Sequence, residues 1–138
     1  MDVPDTPSAD TGIKVLLVDT LSARLEVLRF LVESPGVDAQ VVATAYDLAT
    51  AVAAVEAEAP NLVLLEIQLP VELGLEILAG LHERFPQLRM LVCSFRGDSE
   101  TQARALSAGA TAYFVKPVTS TELRVAFAEA APLAVAQP

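Results

Sequence analysis

Four residues able to do chemistry sit at the ends of apolar runs of strand length. Asp19 follows the run at 13–18, and Glu66 closes Leu62-Val63-Leu64-Leu65. Ser94 lies near the end of the run at 90–95, and Lys116-Pro117 directly follows the run at 112–115. Two carboxylates on one edge can hold a hard cation, and a lysine beside them can pair with an acid. Each residue also has a plainer use. Asp19 or Thr20 can cap a following helix. Ser94 can bond backbone at a strand end. Lys116-Pro117 can be a turn, with a cis bond open to it. The six glycines, at positions 12, 36, 74, 80, 97 and 109, form no phosphate-cradling motif. A Gly-x-Ser-x-Gly nucleophile turn is also missing. Thr20 and Ser22 alone make a weak flavin-phosphate loop.

The elements that must position these residues alternate along the chain. Strand-length apolar runs lie at 13–18, 40–45, 62–67, 90–95 and 112–115. Between them apolar residues recur at helical spacing. Leu21, Leu25, Leu28 and Val32 mark the first helix, broken by Ser34-Pro35-Gly36. Leu48, Val52 and Val55 mark the second, ending near Pro60, and Ile77, Leu78, Leu81 and Phe85 the third. Ser99 with Gln102 reads as a capping box for a fourth helix that reaches Ala108 and closes at Gly109. Thr119 with Glu122 reads as another, opening a fifth with Leu123, Ala126, Phe127 and Ala130 inward.

Five strand–helix pairs with short connections predict a doubly wound α/β fold: one parallel sheet with helices on both faces. In such sheets ligands sit beyond the carboxyl ends of the strands. Asp19, Glu66, Ser94 and Lys116 are therefore expected to converge on one edge. One domain over 13–131 is expected, with tails at 1–12 and 132–138.

Composition narrows the partners. The chain has 138 residues, 18 acids against 9 bases, and a net charge of −9. No basic stripe exists to track a phosphate backbone, which argues against nucleic acid. No apolar stretch approaches the roughly 20 residues of a membrane helix. The acidic N-terminus lacks the pattern of a secretory signal, and the lone Cys93 suits a reducing cytoplasm. Cys93 reads as a buried small hydrophobe, and His82 as a surface residue beside the third helix's apolar stripe.

From Ile13 to about Ala131 the chain resembles the receiver domains of bacterial two-component response regulators. "KVLLVD" (14–19), "PNLVLLEIQLPVELGLEIL" (60–78), "LVCSF" (91–95) and "GATAYFVKPV" (109–118) carry the resemblance. It implies a flavodoxin-like five-stranded sheet in the order 2-1-3-4-5. It also implies a phosphoryl-accepting aspartate at position 66 and two adjacent acids after strand one that help hold Mg²⁺. Ser94 and Lys116 match the hydroxyl and lysine that contact the phosphoryl oxygens. Asp19 matches the first acid of the pair, and Gln68 would offer the metal its backbone carbonyl. Pro70, Gly74 and Pro117 match the family's loops. Tyr113 matches an aromatic that rotates on activation.

Three departures bear on function. Glu66 replaces the acceptor, Thr20 replaces the second acid, and Leu73 stands where an aspartate is common. Asp19, Glu66 and Lys116 sum to −1, and a phosphoryl group adds roughly −2. Glutamate also moves its carboxylate outward by about an ångström, and misplacement on that scale can cost about 10²-fold where geometry must be in line. The expectation is thus a stand-alone, cytoplasmic, non-enzymatic pseudo-receiver that works through protein contacts. No metal is expected, or weak Mg²⁺ at Asp19 and Glu66. Glu66 can form a structural pair with Lys116, imitate the phosphorylated state, or retain residual phosphorylation. Partners implied are a histidine kinase, a regulator or an effector. A homodimer could use helix four, strand five and helix five, with Arg104, Glu122, Arg124 and Glu129 on that face. Arg96, just past strand four, could greet a partner or ligand.

Overall fold

The computed structural model describes residues 12–19, 25–68 and 70–130, with the backbone alone at 25–28 and 130. The strands are β1 (Ile13–Asp19), β2 (Ala39–Ala45), β3 (Leu62–Glu66), β4 (Arg89–Ser94) and β5 (Ala112–Val115). The helices between and after them are α1 (Leu25–Val32), α2 (Leu48–Glu58), α3 (Val71–Arg84), α4 (Ser99–Ser107) and α5 (Ser120–Ala130). All strand pairs are parallel, in the order β2-β1-β3-β4-β5. This is the order that the resemblance implies. Thr20, the Leu21 start of the first helix and the tails at 1–11 and 132–138 lie outside the described residues.

The sheet separates two apolar layers, because alternate strand residues point to opposite faces. On β3, Leu62 and Leu64 pack with Val32 of α1 and with Leu123 and Phe127 of α5. Val63 and Leu65 pack on the other side with Val55 of α2, Ile77, Leu78 and Leu81 of α3, and Ala105 of α4. Covering both faces buries all five residues of β3, so its sequence is a continuous apolar run rather than an alternation. Each fully buried leucine stabilises the fold by about 1.5–3 kcal/mol. At the edge, β2 shifts register against β1 between Val15 and Leu16. Glu33 accepts the Val41 N–H there at 3.0 Å.

Helix starts follow local chemistry. Thr119 and Glu122 cap α5 reciprocally, each backbone N–H donating to the other's side chain at 2.9 and 3.1 Å. The box expected from Ser99 and Gln102 is corrected. Asp98 caps α4, accepting the Thr101 N–H at 2.9 Å and its hydroxyl at 2.7 Å. The Gln102 amide turns back to the Gly97 carbonyl instead. Aspartate wins the cap because its charge also complements the positive end of the helix. Those bonds from Thr101 hold the Asp98 carboxyl below its ordinary range.

Two glycines fix how the helices enter. A Cβ on Gly74 would lie 2.9 Å from Ile67 Cγ1, so glycine lets α3 begin hard against the end of β3. Gly109 has φ +120, and a Cβ there would lie 2.5 Å from His82 Cγ. His82 is exposed, as expected, yet its ring closes over the turn between α4 and β5.

Candidate functional site

Strand register brings the predicted residues to one edge. Asp19 stands opposite Glu66 across β1 and β3, and Glu66 opposite Cys93 across β3 and β4. Ser94 stands opposite Val115, one residue before Lys116. The Lys116 backbone N–H donates to the Ser94 carbonyl at 2.8 Å, which ties the lysine to the end of β4. The Lys116–Pro117 peptide is cis.

Asp19, Glu66 and Ser94 are all buried. The Lys116 ammonium donates to Glu66 Oε2. Its side chain is 16% exposed and that of Glu66 1%, so the lysine reaches the carboxylate from the rim while the acid sits below. The Gln68 side-chain amide donates to Asp19 Oδ1. Gln68 therefore does more than present a backbone carbonyl, the only role that the sequence suggested for it.

Ser94 donates its hydroxyl hydrogen to the Ile67 carbonyl at 2.7 Å and accepts the Arg96 N–H at 3.0 Å. A hydroxyl has one hydrogen to give. In this state Ser94 thus locks β3 to the loop after β4. Tyr113 donates its hydroxyl to the Arg96 carbonyl at 2.6 Å. Burial raises the Tyr113 phenol above its ordinary value. Cys93 is buried, and burial pushes its thiol up to about 12. It is inert as a nucleophile in the folded state.

A profile described as the response regulator receiver domain matches residues 15–128. The chain belongs to this family.

Relatives of the receiver agree. The alginate biosynthesis transcriptional regulatory protein AlgB of Pseudomonas aeruginosa is 33% identical over 91% of this chain and 27% of its own length. The DNA-binding transcriptional activator DevR/DosR of Mycobacterium tuberculosis is 36% identical over 80% of this chain and 51% of its own length. The receiver thus spans about a quarter to a half of these curated relatives. A CheY-like receiver domain protein from Methanospirillum hungatei superimposes with a TM-score of 0.70 at 30% identity. That match covers 86% of this chain and 92% of the other.

The side chains suit Mg²⁺, the receiver family's ion, poorly. Asp19 takes an amide N–H and Glu66 holds an ammonium. A cation bridging both acids would share each carboxylate with a donor already in place and sit beside the Lys116 ammonium. Among the described residues no group of three or more His, Cys, Asp or Glu side chains is placed to hold a metal.

Around the receiver pocket, Arg104 turns toward α3, 3.7 Å from Glu72, and Arg124 toward Gly36 after α1. Both bases are nonetheless exposed on α4 and α5, the helices on which the sequence placed them. That surface exposes Leu106, Val115 and Val125 beside the charged Arg104, Glu122, Arg124 and Glu129. Arg96 pairs with Asp98 at 3.4 Å and lines an open cleft of about 570 Å³ between the starts of α3 and α4. Sequence reasoning missed Phe95, whose ring centroid lies 5.2 Å from the Lys116 ammonium. The available signal was an aromatic directly after the pocket serine.

Proposed function

We propose that this receiver is an atypical member that signals through protein contacts without the family's Mg²⁺-dependent phosphoryl transfer. The observation that carries the reading is the ion pair between Glu66 and Lys116. The acceptor position holds an acid one methylene longer than aspartate, and that acid already occupies the lysine. Asp19, the first metal-holding position, is engaged by Gln68. Thr20 in place of the second acid points the same way.

A cytoplasmic, non-enzymatic role belongs to this reading. The partner is a histidine kinase, a regulator or an effector protein. The net charge of −9 favours protein over nucleic acid. Exposed Leu106, Val115 and Val125 support the surface of α4, β5 and α5 as a docking or homodimer face. AlgB and DevR/DosR, named as transcriptional regulators, support a regulatory output.

One observation favours a second reading, in which Glu66 imitates the phosphorylated state. A carboxylate engages Lys116 while Tyr113 is tethered to the loop before α4. On that reading Glu66→Gln releases the tether and shifts the Tyr113 ring resonances. On the structural reading the tether survives the substitution.

Amide NMR with Mg²⁺ and then beryllofluoride tests the main proposal. Wild type stays silent, while the double variant Glu66→Asp with Thr20→Asp shifts around Ser94, Tyr113 and Lys116. Strong shifts in wild type with both ligands mean that phosphoryl chemistry survives, and the proposal fails.

A further inference from the structure

Phe95 is 67% exposed, although it directly follows five buried residues of β4, Met90 to Ser94. A large apolar ring at the mouth of a polar site needs a reason. Its neighbours supply one. Ser94, on one side, is held by its bonds to Ile67 and Arg96. Arg96, on the other, is held by the hydroxyl of Tyr113. The backbone that carries Phe95 is therefore pinned from both ends. Lys116 is pinned to the same segment, its N–H bonded to the Ser94 carbonyl. Ring and ammonium start from neighbouring, tethered backbone and meet at 5.2 Å from centroid to nitrogen. This is within the roughly 6 Å at which a ring face attracts a cation.

We infer that Phe95 is a positioning residue: its ring clasps the Lys116 ammonium at the rim of the pocket and keeps it on Glu66. The inference rests on the Glu66–Lys116 pair being the resting state of the site. Ser94 and Tyr113 then have a task that needs no phosphoryl group. They hold the clasp in place. The lysine itself is long and flexible, and without the ring its ammonium loses one of the contacts that hold it at the rim. With the ring, leaving Glu66 also means leaving an aromatic face.

The chain has only two lysines, Lys14 and Lys116, so amine acylation reads the clasp directly. The full chain is treated with N-hydroxysuccinimide acetate, and the rate at Lys116 is followed by peptide mass spectrometry, with Lys14 as internal reference. A cation–ring contact at an exposed site predicts that Phe95→Leu raises the Lys116 rate about two- to fivefold. Phe95→Tyr and Phe95→Trp restore the slow rate, because they keep a ring face. Tyr113→Phe, which removes the tether to Arg96, gives a smaller increase. Leucine matches phenylalanine as apolar cover, so mere shielding would leave Phe95→Leu at the wild-type rate, and that result overturns the inference. Glu66→Gln separates the two layers of argument. If it leaves the Lys116 rate unchanged, the ion pair reading has failed. If it raises the rate while Phe95→Leu does not, the pair stands and the clasp alone is wrong.

Discussion

The ammonium of Lys116 donates to Glu66 Oε2 across 50 positions of chain. The lysine approaches from the partly open rim and the acid lies fully inside. Removing either charge strands the other in a place poor in water, which costs more than the pair itself contributes.

Glu66→Gln is expected to destabilise the domain by about 2–4 kcal/mol, since Lys116 keeps partial access to solvent. Lys116→Met costs more, because Glu66 has no such access. The double variant recovers most of the loss. Urea unfolding of the four proteins closes the cycle. Single losses under about 0.5 kcal/mol would show that the pair is energetically idle.

Ser94→Ala removes one hydroxyl and leaves two backbone groups, the Ile67 carbonyl and the Arg96 N–H, without their buried partner. A loss of about 1–3 kcal/mol is expected in urea unfolding. Amide exchange should quicken at Arg96 and the start of α4 before it does in β1. Uniform quickening would mean that Ser94 supports the whole sheet rather than this junction.

Gly109→Ala places a Cβ against His82 in a backbone conformation that side chains rarely adopt. A loss of at least about 2 kcal/mol is expected in thermal or urea unfolding. Adding His82→Ala relieves the overlap and leaves the backbone strain, so recovery should be partial. Full recovery would assign the whole cost to the ring.

Cys93 makes stability fall at alkaline pH. Its thiol is raised by burial from an ordinary 9.0 to about 12 in the folded state. The unfolded chain therefore loses that proton first. The contribution is complete below about pH 9 and is lost as pH rises toward 12. Urea midpoints across that range should fall less steeply for Cys93→Ala than for wild type. Parallel slopes would place the alkaline loss on other groups, Tyr113 among them.

The five strand–helix units, and the edge on which the polar residues meet, were legible in the order of residues alone. Both are local matters. Continuous apolar runs mark strands covered on two faces, 3.6-residue spacing marks the helices over them, and a polar residue ending such a run must emerge at the sheet's edge. The resemblance added the strand order. Which partner each polar atom takes emerged only from the folded chain. Gln68 reaches Asp19 over 49 positions, Ser94 reaches Ile67 over 27, and Arg104 of α4 pairs with Glu72 of α3. Register and helix entry angles set those distances to within an ångström, and no periodicity in the chain encodes them. The ring of Phe95 over Lys116 is of the same kind. An aromatic after a strand is an unremarkable letter until the lysine from the next strand is folded beneath it.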